Sequence, residues 1–540
     1  MRDLHLPGRS VVIGRHGAAA TSHVLATLAA IEILRRGGNA ADAAIAACAV
    51  QCVVEPGSTG IGGDNFVLFA PASINLAGTD TTKGGKVYGL NGSGRAPKGL
   101  TAEHLLKQGL TEIPLTSVHA VTIPGAIDSW SKLNQRFGSM PLAELLQPAI
   151  RHAEEGFALT ERVAIDWARN EGKLKADANT ARMWLKNGGR APEVGEVFRQ
   201  PEHAKVFREI AAKGRDGFYT GWVAEDMVTY LRSLGGMHAL EDFATQEAFW
   251  VEPISTTYRG IELLEIPPNG VGITTLLMLN ILSGFDLSKY DPVGVERFHI
   301  EAEATRLAFQ ARDMYVADPA FADVPVHKLL SRGFADELRS RIDLKKAMPA
   351  LGPAGGTTYR DTIYIGVVDE QGNACSFINS LFWPYGTGLT SPKTGVLLQN
   401  RGAGFRVDPA HPNCVAPWKR PLHTIIPAMA LKDSKPWLCF GVMGGGFQPV
   451  GQSHVLTNML DFGMNVQEAI DCARGFHQMG RFEAERGIRK DVLNGLAALG
   501  HEIKMAEMPH GGGQAIMIDA ASRVLQAGSD PRKDGCALAY

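Results

Sequence analysis

The feature that most constrains this chain is a pair of strand-like runs in its last third. Ile363, Ile365 and Val367 alternate along TIYIGVVD, residues 362–369, and ACSFIN follows after the connection EQGN. A period of two on both sides of a glycine-containing connection predicts a β-hairpin. Upstream, residues 343–361 are rich in glycine and proline, which indicates an exposed, mobile segment. Thr362 therefore lies where such a segment meets a predicted core strand.

That position allows two interpretations of Thr362. Threonine favours strands, so it can be purely structural. Alternatively, it can become a nucleophile if a base removes its hydroxyl proton, and the α-amino group of a chain-terminal threonine is such a base. A free α-amine has a pKa of about 7.7 to 8.0, so part of it is neutral at cellular pH. This second role requires that the bond before Thr362 be cut.

Length and charge limit the classes of function. The 540 residues exceed one ordinary core, so we expect two domains or one large intertwined domain. The 54 basic and 56 acidic residues give a net charge of −2 without charge blocks. This balance argues against a nucleic-acid or polybasic membrane surface. We expect a small-molecule partner.

Neither the cysteines nor the first residues indicate export or a metal. The cysteines are odd in number and mostly in apolar surroundings, so we expect reduced packing residues: Cys48, Cys52, Cys375, Cys414, Cys439, Cys472 and Cys536. They offer no recognisable zinc spacing. The start, MRDLHLPGRSVVIGRHG, lacks the apolar core of a signal peptide, and no apolar run is long enough to span a bilayer. We expect a cytoplasmic protein.

The rest of the chain mixes helical and strand patterns. A helix is predicted within residues 21–36, and Asn39 with Asp42 predicts the cap of a second, fully buried helix. The glycine-rich loop GSTGIGGDNF runs from that helix into a strand, the wrong order for a phosphate-binding loop. Residues 100–345 are richer in helical patterns. There, Glu301 and Glu303 point to different sides of a helix, so we expect solvated or ion-paired surface carboxylates rather than a shared site.

Ten ordered motifs carry a resemblance that covers nearly the whole chain. They run from ILRRGGNAADAAIAACAVQCVVEPGSTGIGGDNF to GSDPRKDG, through LLQPAIRHAEEGF, GFYTGWVAEDM, GGMHALEDF, EATRLAFQARDMYVADP, VVDEQGNACSF, GTGLTSPKTGVLLQN, RPLHTIIPAM and VMGGGFQP. On these motifs the chain resembles the γ-glutamyltranspeptidase family. The resemblance implies an α+β fold, the four-layer αββα sandwich of N-terminal nucleophile (Ntn) hydrolases, with a helical large-subunit portion.

The family resemblance also implies self-cleavage. Members are made as proenzymes that cut themselves before a threonine. Matching Val367, Val368, Asp369, Gly372 and Asn373 to the family motif places that threonine on Thr362, and Thr357 and Thr358 fall outside the match. The implied cleavage site is the bond between Asp361 and Thr362. Its products are a large subunit, residues 1–361, and a small subunit, residues 362–540, intertwined in one fold.

Two further elements are implied by the resemblance and have a physical reason. The run WLCFGVMGGG predicts a strand that empties into glycines before a helix beginning near Gln452. Backbone N–H groups at Gly444 and Gly445 can approach a developing oxyanion because these residues have no side chain. Ser380 matches the position whose hydroxyl supports the catalytic threonine.

Departures from the family pattern concern the substrate. Typical members hold the α-carboxylate of a γ-glutamyl group with an arginine, where this chain has Ser93, and the α-amino group with an aspartate, where it has Gly404. Where relatives carry a serine pair it has His423 and Thr424, and Phe382 replaces an amino-binding asparagine. An ammonium group buried without a carboxylate is unfavourable, so the pocket is ill suited to an α-amino acid.

Two arginines can instead bind a carboxylate. Arg401 and Arg95 each offer a planar fork of donors, although either can also be part of a surface ion pair. Arg401 replaces an uncharged family residue and is the favoured candidate.

The predicted activity is that of a self-processing threonine amidohydrolase acting on an amide of a small carboxylate-bearing substrate, as in oxamate hydrolysis. Glutathione hydrolysis or γ-glutamyl transfer, a cephalosporin-type acylase and a non-catalytic binding homologue are the alternatives. We expect no cofactor and no metal in the mechanism. Apart from substrate, the expected partners are the two subunits of one precursor, with a dimer of heterodimers as a possible assembly.

Overall fold

The computed structural model describes residue 5 and residues 8–72, 85–187, 189–349 and 362–540. Within these ranges the chain forms strands that are mostly short and antiparallel. Their bounds are β1 Val12–Gly14, β2 Ala18–Thr21, β3 Asp64–Ala70, β4 Tyr88–Gly92, β5 Phe157–Ala158, β6 Val197–Phe198, β7 Phe249–Val251, β8 Ile254–Tyr258, β9 Ile261–Glu265, β10 Ile363–Val368, β11 Ala374–Ser380, β12 Ala428–Lys432, β13 Lys435–Met443, β14 Gly475–Gln478, β15 Arg481–Ala484, β16 Ile503–Met505, β17 Gly512–Asp519, β18 Val524–Ser529 and β19 Cys536–Ala539.

Helices are concentrated between the first strands and β10, as the sequence predicts. Their bounds are α1 Val24–Arg35, α2 Ala40–Val54, α3 Ala102–Lys107, α4 Ala126–Phe137, α5 Leu142–Leu145, α6 Gln147–Glu155, α7 Glu161–Arg169, α8 Glu171–Lys175, α9 Ala178–Trp184, α10 Pro201–Lys213, α11 Asp216–Tyr219, α12 Gly221–Ser233, α13 Leu240–Ala244, α14 Gly272–Leu282, α15 Val295–Tyr315, α16 Val326–Leu329, α17 Arg332–Arg339, α18 Gln448–Leu460, α19 Val466–Asp471 and α20 Lys490–Ala498. None of the described helices is long and apolar enough to cross a membrane.

Two seven-stranded sheets form the centre of the molecule. One has the order β1-β18-β17-β13-β12-β9-β8 and the other β19-β2-β10-β11-β3-β4-β7. Neighbouring strands in both sheets are antiparallel. Smaller sheets, β14-β15-β16 and β5-β6, lie outside this pair.

The two large sheets pack face to face between two layers of helices. One apolar core lies between the sheets, a second between the β10 sheet and helices that include α1 and α2, and a third between the β13 sheet and helices that include α14 and α18. Three cores separate four layers, so the predicted αββα sandwich is confirmed.

The β10–β11 hairpin lies inside this sandwich and is buried on both faces. Ile363, Ile365 and Val367 pack into the core on the helix side, whereas Tyr364 and Val368 pack into the core between the sheets. Successive side chains of a strand point to opposite faces, so the alternation in the sequence follows from this double burial. The predicted hairpin is confirmed, and its first strand begins directly after Thr362, as predicted.

The α2 helix is fixed by the predicted cap. The Asn39 side chain accepts from the backbone N–H groups of Ala41 and Asp42, and the Asp42 carboxylate accepts from the Asn39 N–H. This is a capping box, which satisfies donors that the first helical turn leaves open. Every residue of α2 is buried, as predicted from its small apolar residues.

The glycine-rich end of β13 leads into α18 sooner than predicted. Gly445–Phe447 form a 3₁₀ turn, and α18 begins at Gln448 rather than near Gln452. Pro449 lies in the first helical turn, where its missing N–H has no intrahelical partner to lose. The proline therefore starts this helix instead of delaying it.

The surface position predicted for Glu301 and Glu303 is wrong. Both are buried in α15, because each has a buried or half-buried arginine partner on the same helix, Arg297 for Glu301 and Arg306 for Glu303. The ion pairs and the separation into two sites are as predicted. The seven cysteines are free thiols, as predicted.

Candidate active site

The hairpin register brings two hydroxyl groups together. Ile363 pairs with Asn379, so Thr362 lies opposite Ser380 at the open end of the hairpin. The Thr362 Oγ1 and Ser380 Oγ atoms are 3.2 Å apart, and Thr362 is 1% exposed. The Ser380 hydroxyl also accepts the N–H of Phe382 at 2.8 Å. These contacts hold the Thr362 hydroxyl in a buried position beside a second hydroxyl.

A glutamine that the sequence analysis did not identify also faces Thr362. The Gln448 Nε2 atom lies 3.5 Å from Thr362 Oγ1, and its Oε1 accepts the N–H of Ile426 at 3.0 Å. Gln448 opens α18 directly after the glycine turn, so a side chain that contacts Thr362 follows that turn in the chain. The sequence signal for Gln448 was its position: it follows a strand and a glycine turn, and it is the first residue of the next helix.

Both predicted oxyanion glycines have left-handed backbone conformations. Gly444 has φ +118° and Gly445 has φ +55°, a region that side chains disfavour. A Cβ atom added to Gly444 would come within 2.9 Å of Gly511 Cα. A cavity of about 220 Å³ reaches this turn, with Gly444, Phe447, Pro384 and His510 in its wall. The turn thus combines a backbone without side chains at two positions with a cavity that reaches Gly444.

Arg401 is buried and contacts Phe382, the residue whose N–H the Ser380 hydroxyl accepts. Its Nη1 donates to Thr424 Oγ1 at 2.8 Å, and its guanidinium carbon lies 4.1 Å from the centre of the Phe382 ring. Phe382 has φ +85°, an uncommon conformation for a bulky residue that is typical of functional sites. A hydrogen-bonded and ring-stacked chain therefore joins Thr362, through Ser380, to a buried cation.

His423, next to Thr424, is neutral. Its Nδ1 accepts the N–H of Ile425 at 3.4 Å, so the ring proton is on Nε2, which donates to an Asp64 carboxylate oxygen at 3.0 Å. Burial, reinforced by the nearby charge of Arg401, lowers the pKa of His423 to about 4. Arg401 therefore contributes positive charge here, while His423 does not.

Asp64 is a second residue that the sequence analysis did not single out. Besides His423, it accepts from Gln399 Nε2 at 2.8 Å and from the Gly125 N–H at 3.0 Å. It begins β3 directly opposite Ser380 in the sheet. The signal was the polar pair that ends the glycine-rich loop, but its partners come from distant segments.

Three predicted substrate residues have other contacts. Ser93 Oγ accepts from Asn269 Nδ2 at 3.0 Å. Arg95 Nη1 donates to the Trp418 carbonyl at 2.7 Å, and its guanidinium stacks on the same residue. Gly404 ends the 3₁₀ turn that Arg401 begins, and it lines a separate cavity of about 460 Å³. None of these contacts includes Thr362 or Ser380.

Asp361, Thr357 and Thr358 lie outside the described residues, as do residues 350–361 of the predicted mobile segment. The described part of that segment, residues 343–349, is mostly exposed, as predicted.

Comparison with known proteins agrees with this geometry. The family model described as gamma-glutamyltranspeptidase matches residues 26–540. The chain belongs to the γ-glutamyltranspeptidase family. It is therefore an enzyme of the Ntn-hydrolase kind, an amidohydrolase or acylase.

Relatives within this family differ in the activities that their names give. The glutathione hydrolase-like YwrD proenzyme of Bacillus subtilis is 37% identical over 98% of this chain and 99% of its own. The oxamate amidohydrolase proenzyme of Klebsiella pneumoniae is 32% identical over 98% and 99%. Among solved structures, the cephalosporin acylase from Bacillus halodurans is 39% identical, with a TM-score of 0.91 over 100% of this chain and 98% of that one.

Proposed function

We propose that the chain is a self-processing threonine amidohydrolase that cleaves an amide of a small acid lacking an α-amino group. The observation that carries this proposal is the position of the Thr362 hydroxyl, buried at the start of a core strand, 3.2 Å from Ser380 Oγ and 3.5 Å from the side chain of Gln448, which follows the glycine turn. The family and its proenzyme relatives support both parts of the proposal.

Processing is proposed to begin within the uncut chain. Thr362 Oγ attacks the carbonyl carbon of Asp361, the peptide C–N bond breaks as the nitrogen takes a proton, and an ester replaces the amide. Water then hydrolyses the ester. The products are residues 1–361 with a new carboxyl group and residues 362–540 with a free threonine amine.

Catalysis then uses the new amine as the base. Thr362 Oγ attacks the substrate carbonyl while its proton moves to the α-amino group. Backbone N–H groups of Gly444 and Gly445 stabilise the oxyanion, an interaction of about 2.7 to 4 kcal/mol per donor in other enzymes. The leaving amine takes the proton, and an acyl ester forms. The Thr362 α-amino group then takes a proton from water, and the resulting hydroxide hydrolyses the ester and releases the acid.

The charges of the site favour an acyl group that carries a carboxylate. Arg401 is a buried cation joined to Ser380 through Phe382, and neutral His423 adds no charge. Asp64, the carboxylate at this site, already accepts from three donors, which leaves it poorly placed to hold a substrate ammonium. A short dicarboxylic monoamide or oxamate fits this arrangement better than a γ-glutamyl group.

A cephalosporin-type acylase is the second candidate. The cavity at Gly444 is lined partly by apolar residues, Phe447, Phe476, Met508 and Pro509, and partly by charged ones, Arg162, Asp166 and Arg169, a mixed lining that suits a bulky leaving amine with polar groups. The likeness to a cephalosporin acylase supports this alternative. It shares the nucleophile and the processing step with the first candidate and differs in the leaving group.

Denaturing electrophoresis tests the processing step. The purified protein should give two bands near two-thirds and one-third of the chain, and Thr362→Ala should give one intact band. Mass spectrometry of the smaller band should show that this fragment begins at Thr362. If the wild-type chain stays intact and hydrolyses no amide, the enzyme proposal is wrong and the non-catalytic binding homologue is favoured.

A substrate panel tests the acyl group. Oxamate and succinamate should be hydrolysed with a higher kcat/KM than γ-glutamyl-p-nitroanilide, with a cephalosporin amide of a dicarboxylic acid as the fourth compound. Faster cleavage of the γ-glutamyl compound would instead indicate glutathione hydrolysis or γ-glutamyl transfer. Clear preference for the cephalosporin amide would favour the acylase.

A further inference from the structure

A buried cluster of two histidines and a glutamate lies apart from the candidate active site. His299 and Glu303 are four residues apart on α15, so they share one face of the helix. His501, from the turn between α20 and β16, meets that face. The three residues are buried, and one ligand atom from each lies within 4.8 Å of the other two. The proposed amide chemistry uses none of them.

The hydrogen bonds fix where the lone pairs point. His299 Nε2 donates to the Asp343 carbonyl at 2.8 Å, so His299 Nδ1 carries a lone pair. That nitrogen lies 2.7 Å from His501 Nε2, which holds the shared proton in this arrangement. His501 Nδ1 is then a buried lone pair without a donor among the described residues.

Glu303 is oriented in the same way. Its Oε1 accepts from Arg306 Nη1 and its Oε2 from the Met348 N–H, both at 2.8 Å. Each carboxylate oxygen has two lone pairs, so one remains on each oxygen after these bonds. Ligand side chains held by outer partners, including a histidine bonded to a backbone carbonyl, are characteristic of metal sites.

We propose that His299 Nδ1, His501 Nε2 and a Glu303 carboxylate oxygen bind a Zn²⁺ ion, with water as the fourth ligand. Two imidazoles and one carboxylate are a ligand set that zinc accepts, whereas calcium and magnesium prefer oxygen ligands. Tetrahedral bonds of about 2.0 to 2.1 Å require the two nitrogens to separate to about 3.3 Å. Binding shifts the His501 ring proton from Nε2 to Nδ1, so this histidine stays neutral and releases no proton.

One cation, Arg306, and one further histidine, His477, lie next to the site. Arg306 neutralises part of the Glu303 charge, and the His477 ring centre lies 6.2 Å from that of His501.

The position of the cluster gives the metal a structural role. His299 and Glu303 precede the predicted cleavage bond and His501 follows it, so the ion would join the two subunits. The outer partners Asp343 and Met348 belong to the segment that leads to residue 350. The ion would thus also fasten the carboxyl-terminal end of the large subunit to α15.

Metal binding to the full chain tests the proposal. Protein stripped with a chelator and dialysed should take up one equivalent of Zn²⁺ in a competition titration. His299→Gln keeps a donor for Asp343 while removing the ligand nitrogen, and His501→Asn and Glu303→Gln remove the other ligands. Each should weaken binding by more than the roughly 10- to 100-fold that outer partners contribute.

His477→Asn is the matched control, because it removes a neighbouring histidine that is not a proposed ligand. It should bind like the wild type, as should Thr362→Ala, which separates this proposal from the amidohydrolase one. Co²⁺ added to the wild type should give the intense visible bands of a four-coordinate ion, a result independent of how the variants fold. Less than one equivalent of Zn²⁺, equal binding by all variants, or a weak six-coordinate Co²⁺ spectrum would overturn the site.

Discussion

Arg401 is the residue that most favours a carboxylate-bearing acyl group over a γ-glutamyl group in the proposed substrate. Its guanidinium is buried, donates to Thr424 and stacks on Phe382, so its orientation is fixed before substrate arrives. A fixed planar fork binds a carboxylate with two parallel hydrogen bonds, which a lysine ammonium cannot reproduce. The contrast between these two cations provides a direct test.

Arg401→Lys should lower kcat/KM for the carboxylate-bearing substrate by about 10- to 100-fold, mainly through KM. This range follows from about 1.5 to 3 kcal/mol for hydrogen bonds to charged groups. Steady-state kinetics on processed protein would measure it. Arg95→Lys is the matched control, because Arg95 donates to the Trp418 carbonyl, and it should change kcat/KM little. Equal losses in both variants would contradict the assignment of the carboxylate to Arg401.

His203 illustrates how burial alone makes a residue sensitive to pH. It packs edge-on against Trp184 with ring centres 5.5 Å apart, and burial lowers its pKa to about 4. Between pH 6.5 and 4 the unfolded chain therefore binds a proton at this position that the folded chain does not. Stability from the neutral ring is complete above pH 6.5 and is lost as pH falls toward 4.

His203→Phe should remove that loss. The stability of the variant relative to the wild type should rise by about 3 kcal/mol as pH falls from 6.5 to 4, from about 1.4 kcal/mol per pKa unit. Denaturant unfolding at several pH values would measure the difference. His203→Asn changes the packing differently but also lacks the titrating ring, so it should show the same rise. Variant and wild-type stabilities that stay parallel across this range would contradict the prediction.

The elements were predictable where their pattern is local. Alternation predicted β10 and β11, and the Asn39 cap predicted α2, because each depends on neighbours in sequence. The start of α18 was misplaced by four residues, because Pro449 lies in the first helical turn and not before the helix. Gln448 and Asp64 could not be chosen from sequence, because their partners Ile426 and His423 are far along the chain or in other elements.

Glycines in the two facing sheets show how closely these elements pack. A Cβ on Gly441 of β13 would overlap the Tyr364 ring of β10, whereas a Cβ on Gly366 of β10 meets its nearest atoms at 3.6 to 3.7 Å. Tyr364 lies two residues after Thr362, and its hydroxyl lies 2.8 Å from Ser376 Oγ. A side chain that overlaps the Tyr364 ring would therefore displace the strand that positions Thr362.

Gly441→Ala should destabilise the protein by about 1 to 3 kcal/mol, the usual effect of overpacking, and should lower kcat more than KM. Gly366→Ala lies in the same interface at ordinary contact distance and should change stability by less than about 0.5 kcal/mol. Thermal unfolding and steady-state kinetics on both proteins give the comparison. Equal tolerance of the two substitutions would show that β10 and β13 are not in such close contact.

At the scale of the whole molecule, the proposed subunits share both sheets. Among the described residues, five strand pairs join residues before 362 to residues after it: β1 with β18, β9 with β12, β2 with β19, β2 with β10, and β3 with β11. The strand that begins after Thr362 is itself held between β2 and β11. Cutting the chain before Thr362 breaks none of these ladders.

The processed protein should therefore behave as one folded unit until it is denatured. Its two fragments should elute together in size-exclusion chromatography, at the volume of uncut Thr362→Ala, and should unfold in a single denaturant transition. Fragments that share five strand pairs and a common core between the sheets can separate only by exposing that core, which is equivalent to global unfolding. Separation of the fragments without denaturant would mean that the mature protein does not retain this interleaved arrangement.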